Sequence, residues 1–406
     1  MSEVMATAGA GGAALLLGLL LTEPLRRFAL RHGITDRPSS RKAHTRPTPY
    51  LGGIAIAVAT LAAGGTVAAV AGAFGPVLGV LLAGAAAMCV LGLIDDLRPL
   101  GAGIRLGVET ATATVVVLAG GHPAVFGGAT DVLLAVVWIV FTMNAFNFLD
   151  NMDGAASSLC VVMGGFVCVM ALIDGPDVLA VLMASLSGAC LGFLFHNRHP
   201  ARIFLGDAGS LFLGFTLASA MVVLHSGQEG LSGPVSVLLA TLVPTLDTTL
   251  VMLSRHRESR PLLQGGTDHI AHRLRRMGMP VRQVVRSLSV FAVAGCLASS
   301  LVTHRLLAPG AALAVACLVG VTVVRLLLKI PATSATSATS TTSATSASSP
   351  GVRVPAAPAP AAVSPVTLQL RPRGWSGRRG GPSRPTAVPH SRAARTAPAP
   401  SPPAAP

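Results

Sequence analysis

The chain has 406 residues, of which 51% are hydrophobic and only 11% charged, with a mean hydropathy of +0.66. Soluble globular proteins carry about 25% charged residues, so a water-soluble enzyme is excluded. The net charge of +14 would by itself suggest a nucleic-acid partner. Its distribution argues against nucleic acid, because the basic residues sit in loops between apolar runs and in a C-terminal tail.

Apolar runs of about 20 residues, the length that crosses a bilayer, recur from the N-terminus onward. Hydropathy, with Gly, Pro and charge as punctuation, predicts spans at 4–21, 50–72, 76–94, 104–120, 131–149, 154–172, 178–195, 211–224, 234–253, 287–303 and 307–325. The expected fold is therefore all-α: a polytopic integral membrane protein of about 10–11 transmembrane helices. The first run lacks a basic segment before it and is followed by Arg26 and Arg27, so it reads as an uncleaved span with its N-terminus outside. The loop after span one carries Arg26, Arg27, Arg31, Arg37, Arg41, Lys42 and Arg46, and the loop after span nine carries eight arginines from Arg255 to Arg286. Loops on the other side hold one basic residue, Arg305. The positive-inside rule places the basic loops in the cytoplasm of a cell membrane.

Residues 1–330 form the predicted membrane-embedded domain. Beyond it, 331–406 contains eight Arg and no acid and is rich in Ala, Thr, Ser and Pro. Such a composition cannot bury an apolar core, and a disordered cytoplasmic tail is expected. The six cysteines all lie within apolar segments without metal-ligand spacing and read as small hydrophobes.

The carboxylates carry the functional information. Eight of sixteen acids (Asp36, Asp95, Asp96, Asp150, Asp153, Asp207, Asp247 and Asp268) fall in cytoplasmic loops or at the cytoplasmic ends of spans. A carboxylate at mid-span costs about 2.5–3.5 kcal/mol on insertion scales. Individual helix capping explains one or two such residues, whereas a one-sided set points to a shared polar cleft neutralised by metal or basic groups. Asp95-Asp96 ends the third span, and adjacent carboxylates bind a divalent cation or divide between ionised and protonated forms. Asn144, Asn147, Asp150 and Asp153 recur every three residues, which on a helix makes one slanting polar stripe suited to phosphates, metal and hydroxyls. The alternative is a structural polar seam. Asp207 lies in Gly206-Asp207-Ala208-Gly209-Ser210, where the eighth span begins. A helix N-terminus there would seat a phosphate, with Asp207 completing a metal–phosphate site; an ordinary Asp N-cap is the rival reading. His269 and His272 stand three apart beside Arg273, Arg275 and Arg276, with no cysteine to complete a zinc site, which favours phosphate. Arg41-Lys42-Ala43-His44 precedes Pro47-Thr48-Pro49-Tyr50-Leu51-Gly52-Gly53, a second basic stretch leading into a helix, for which a plain positive-inside anchor is the rival reading.

Taken together, these five segments resemble the polyprenyl-phosphate N-acetylhexosamine-1-phosphate transferases of glycosyltransferase family 4, over about residues 4–325. The resemblance implies transfer of a sugar 1-phosphate from a UDP-N-acetylhexosamine to undecaprenyl or decaprenyl phosphate. UMP leaves, Mg2+ (or Mn2+) is required, and the lipid-linked sugar serves envelope polymers. It further implies that Asp207 is a metal ligand and that Asp95 and Asp96 bind metal or deprotonate the lipid phosphate. Asn144, Asn147, Asp150 and Asp153 match the stripe lining the nucleotide site, with Asp150 and Asp153 in catalytic roles. His269 and His272 match the catalytic histidine motif near the diphosphate. Lys42, His44, Asp247 and Arg273 fall at substrate-binding positions. Two departures stand out: Asn151 follows Asp150 where the family often has Gly, and Ala271 replaces a middle histidine.

The basic loop and the Pro-Thr-Pro-Tyr-Leu-Gly-Gly segment look more like the hexosamine branch than the phospho-N-acetylmuramoyl-pentapeptide branch, so UDP-N-acetylglucosamine is the expected donor. An ion-coupled transporter should place its acids at span midpoints, and a scaffold acting through its tail leaves the motifs unexplained. Direct attack and an aspartyl-phosphate intermediate both stay open, as does assembly as a homodimer.

Overall fold

A computed structural model of the chain describes residues 3–36, 47–72, 74–261 and 266–330. Among these residues the fold is helical apart from one two-residue pairing, β1 (Thr35–Asp36) antiparallel to β2 (Thr48–Pro49). Lys42, His44 and the whole tail beyond 330 lie outside the described residues.

The spans follow the apolar runs. They are α1 (Glu3–Arg31), α2 (Gly52–Val70), α3 (Pro76–Leu97), α4 (Ala102–Gly120), α5 (Ala129–Leu149), α6 (Ala155–Asp174), α7 (Asp177–Asn197) and α8 (Gly206–Leu224). After these come α9 (Ser232–Ala240), α10 (Leu242–Arg257), the short α11 (Ile270–Arg276), α12 (Val281–Thr303) and α13 (Pro309–Leu328). Ten of these helices are long and apolar enough to cross a membrane, and the bent pair α9–α10 makes up to eleven. The protein is a multi-pass membrane protein.

Three boundaries depart from the hydropathy reading. α1 runs on past Pro24 to Arg31, because arginine and leucine sustain a helix after hydropathy has fallen. The eighth span starts at Gly206, five residues ahead of the expected 211. The ninth is two helices meeting at a 73° bend next to Thr241, where hydropathy shows one apolar run.

α8 is the buried axis, packed between α3 and α5 and touched by α2 and α6. Small residues let the backbones close in, as is usual when helices pack in lipid. A Cβ placed on Gly53 of α2 would lie 2.1 Å from the Gly209 nitrogen, and one on Gly92 of α3 would lie 2.2 Å from the Asp207 carbonyl oxygen. The first N–H groups of α2 are spent in this contact: Gly52 donates to the Phe204 carbonyl at 3.0 Å and Gly53 to that of Leu205 at 2.8 Å. The packing brings the ends of α3 and α5 and the starts of α2, α4 and α8 together at one membrane face.

Candidate active site

At that face Asp96 meets the start of α8. Its Oδ1 accepts the Asp207 N–H at 3.0 Å and its Oδ2 accepts the Ala208 N–H at 3.0 Å. The expectation that these N–H groups seat a phosphate is thereby corrected, since a carboxylate of the same chain already supplies the negative charge favoured by a helix N-terminus. Gly206 makes the approach feasible. It has φ +75°, and a Cβ there would lie 2.8 Å from Asp96 Oδ2 and 2.5 Å from the Tyr50 carbonyl oxygen. Tyr50 also donates its hydroxyl to the Asp96 carbonyl at 3.3 Å.

Asp95 turns the other way. Its Oδ1 accepts the Leu100 N–H at 2.6 Å and its Oδ2 accepts Arg105 Nη1 at 2.7 Å. The same Nη1 lies 3.6 Å from Asp207 Oδ2, so one guanidinium from α4 stands between two carboxylates from α3 and α8. Asn147 of α5 donates to Asp207 Oδ1 at 2.7 Å and to Ser210 Oγ at 2.9 Å, fixing the carboxylate's orientation. One turn earlier, Asn144 donates to Glu109 Oε2 at 2.6 Å; Glu109 is fully buried in α4, with Arg105 Nε 3.9 Å from its other oxygen.

The stripe from 144 to 153 does not continue as a helix. α5 ends at Leu149, and Gly154 takes φ +73° before α6. Asp150, just beyond the span, stays with the cluster: burial pushes its carboxyl well above the usual range, and the nearby charges of Asp207 and Asp96 add to that. Asp153 leaves it. Its Oδ2 pairs with His199 Nδ1 at 2.7 Å and accepts the Ala201 N–H at 3.1 Å, holding the loop between α7 and α8.

A second cluster forms below the bend. Asp247 of α10 accepts His269 Nδ1 at 2.8 Å and the Ile270 N–H at 2.7 Å. A carboxylate only accepts, so Nδ1 carries the hydrogen and Nε2 is left free to act. His272 lies beside it, ring centroids 6.1 Å apart, with its pKa lowered to about 4 by burial and then by His269 and Arg276. Asp268 is held by Arg255 at 3.1 Å and Arg260 at 2.5 Å, which outweigh burial and lower its pKa. The edge of Phe148, the neighbour of Asn147, faces His269 at 6.0 Å and joins this cluster to the carboxylates.

Arg273, expected at the substrate, is 1% exposed and ties α11 to other elements. Its Nε donates to the Asp268 carbonyl at 2.9 Å, Nη2 to Ser254 Oγ at 2.7 Å, and Nη1 to the carbonyls of Leu327 (2.8 Å) and Ile330. The eight acids therefore do not share one cleft. Asp95, Asp96, Asp150 and Asp207 converge, Asp247 and Asp268 serve the histidine loop, Asp153 holds the loop before α8, and Asp36 lies in β1.

Sequence reading missed Arg105 and Glu109. Both lie in a span that carries only one base and one acid, and their four-residue spacing was the available signal. Among the described residues no group of three or more His, Cys, Asp or Glu side chains is arranged as a ready metal cage.

The glycosyl transferase family 4 model matches residues 78–225, from α3 through α8. A Streptomyces coelicolor protein with a general glycosyltransferase name is 41% identical over 67% of this chain, which spans 64% of that protein's length. The decaprenyl-phosphate N-acetylglucosaminephosphotransferase of Mycobacterium tuberculosis is 33% identical, covering 68% of this chain and 77% of its own. The undecaprenyl-phosphate alpha-N-acetylglucosaminyl 1-phosphate transferase of Escherichia coli is 27% identical over 64% and 73%. The chain belongs to the polyprenyl-phosphate N-acetylhexosamine-1-phosphate transferases of glycosyl transferase family 4.

Proposed function

We propose that this chain transfers N-acetylglucosamine 1-phosphate from UDP-N-acetylglucosamine to a polyprenyl phosphate at the cytoplasmic face of the cell membrane. An oxygen of the acceptor phosphate attacks the sugar-bearing phosphorus, the bond to the bridging oxygen breaks, and UMP leaves with that oxygen. The observation that carries the reading is the convergence of Asp95, Asp96, Asp207, Asn147 and Arg105 where four spans, α3, α4, α5 and α8, meet at one membrane face.

The donor set fits a hard divalent cation held in the manner typical of Mg2+, by one or two carboxylates completed by substrate phosphates and water. Asp207 is the ligand of choice, because Asn147 orients its Oδ1 while its Oδ2 faces Arg105 at 3.6 Å, with the Asp95 carboxylate beside it as a second acid. Asp95 and Asp96, expected as further ligands, are each engaged through both oxygens, and their role in this reading is to hold Arg105 and the start of α8. Bound there, Mg2+ supplies neutralisation of the charge that grows on the leaving diphosphate oxygen. Arg105 adds positive charge at the same place. His269, held by Asp247 through Nδ1–H, presents Nε2 as a hydrogen-bond acceptor, able to take the proton of a protonated acceptor-phosphate oxygen.

The acceptor's chain has a matching surface. An apolar groove of about 470 Å³ runs along α10 below the bend, lined by Phe141, Thr248, Thr249, Met252, Leu253 and His256. One chain supplies every residue of this reading, so it holds for a monomer and for a homodimer alike.

The names of the relatives favour the hexosamine branch over the pentapeptide branch. The test uses membranes containing the protein, labelled UDP-sugars supplied one at a time with a polyprenyl phosphate, and identification of the lipid product. A GlcNAc-diphospholipid with UMP release is expected. Turnover of UDP-MurNAc-pentapeptide about tenfold faster would reassign the branch. No lipid product from any UDP-sugar would overturn the activity.

A further inference from the structure

A cavity lies away from the cluster of Asp95, Asp96, Asp150 and Asp207. About 640 Å³ opens between the start of α6, the end of α7 and the start of α12. Its rim carries four guanidiniums, Arg198, Arg202, Arg282 and Arg286. Two carboxylates stand near them, and both are committed: Asp153 to His199 and Ala201, and Glu23, which reaches Arg202 at 3.4 Å, to Arg26 and Arg27 at 2.9 and 2.8 Å. Arg198 stacks over the Phe195 ring at 5.9 Å. The cleft therefore keeps an excess of positive charge at the membrane face.

Below the rim the walls are apolar and face outward. On α7, Arg198 is followed downward at helical spacing by Phe195 (52% exposed) and Leu191. On α12, Arg286 is followed by Val290 (69% exposed), Val293 and Leu297. Between them α6 presents Ser158, Val162, Gly165 and Val169 on one face, and a Cβ on Gly165 would meet nothing within 4 Å. A shallow apolar trough thus runs down α6 between two walls, each wall headed by an arginine.

We propose that this trough binds an anionic phospholipid, its headgroup phosphate held by Arg282 and Arg286 with Arg198 opposite and its acyl chains lying along α6. Basic pockets between spans at the cytoplasmic face are the chemistry that selects such headgroups. The trough is distinct from the acceptor's place, because its lining contains none of Asp95, Asp96, Asp150, Asp207 or Asp247.

The test is native mass spectrometry of the full chain in detergent, titrated with phosphatidylglycerol or phosphatidylcholine. The variants are R282Q/R286Q and, as a control on the same membrane face, R257Q/R275Q. The wild type and the control should retain phosphatidylglycerol in preference to phosphatidylcholine, and R282Q/R286Q should lose that retention about tenfold or more, each arginine near the surface contributing severalfold. Equal retention by R282Q/R286Q and wild type overturns the proposal, as does equal retention of the two lipids. Displacement of the bound lipid by inorganic phosphate would assign the cleft to a soluble anion, and preferential displacement by undecaprenyl phosphate would assign it to the acceptor; either result overturns the proposal.

Discussion

Asp96 closes the N-terminus of the helix that carries Asp207, one carboxylate oxygen on the Asp207 N–H and the other on the Ala208 N–H, each at 3.0 Å. The arrangement couples the position of Asp207 to the end of α3. In D96N an amide NH2 must face a backbone N–H, which forfeits one of the two bonds and leaves a half-buried donor unmet, at about 1–3 kcal/mol. D96N should therefore lower both turnover and the thermal midpoint in detergent. Lost turnover with an unchanged midpoint would show that Asp96 acts on substrate and not through α8.

Asp207 itself should separate the two properties. In D207N the Oδ1 that accepts from Asn147 is preserved while the charge facing Arg105 is lost. Transfer should fall by about a thousandfold, the worth of several kcal/mol of metal-derived charge stabilisation, with the protein still inserted and its midpoint within a few degrees. Chelation of Mg2+ from the wild type should give the same phenotype. Normal turnover of D207N in Mg2+ buffer would remove Asp207 as the ligand.

Arg105 makes an opposite prediction for metal. Its guanidinium lies 2.7 Å from Asp95 and 3.6 Å from Asp207, so it disfavours a second cation beside Asp207. R105Q should reduce turnover about tenfold or more, because diphosphate charge is less well neutralised. It should also lower the Mg2+ concentration giving half-maximal rate. A raised Mg2+ requirement would mean that Arg105 organises the metal's ligands and does not compete with it.

Much of this architecture was legible in the sequence, because each physical rule there acts over one helix. Apolar runs located the spans, and charge asymmetry gave one polar face. Spacing marked Asn147 and the His269–His272 pair as candidates, and the glycines around a helix start marked Asp207. What stayed hidden depends on which helix meets which. Nothing in Gly206-Asp207-Ala208 tells that Asp96 arrives from α3 to occupy the helix end. Period-three spacing put Asp153 with Asn147, whereas the turn after Leu149 sends it to His199. Arg273 looked like one of several loop arginines until α13 covered it. The bend at Thr241 left no hydropathic trace, since both halves are apolar.

His272 gives the pH dependence of stability. Its pKa is lowered to about 4 in the folded chain, against 6.5 when solvated. The unfolded chain thus binds a proton near pH 6.5 that the folded chain refuses until near pH 4, and stability falls as pH drops through that window. H272Q removes this contribution. The thermal midpoint of H272Q should decline less steeply than that of the wild type between pH 6.5 and 4, with the curves running parallel above pH 7. Parallel curves throughout would show that His272 titrates as it does in water.

The end of the membrane domain can be located by truncation. Arg273 Nη1 donates to the carbonyls of Leu327 and Ile330, and these bonds anchor α11, whose neighbour His269 belongs to the Asp247 dyad. A chain ending at Ile330 keeps both acceptors and all the motifs, so its specific activity should stay within about twofold of the full chain, the usual scale of a change that removes none of the interactions named above. A chain ending at Leu326 loses both and leaves a buried guanidinium short of partners, a loss of about 3–5 kcal/mol for a buried charge. It should show a sharply lowered midpoint and weak transfer even where it inserts. Comparison of the two truncations in the lipid-product assay separates the tail from the anchor. Equal activity of both would show that α11 is held by other contacts, and a loss of more than tenfold at Ile330 would give the tail a part in the reaction.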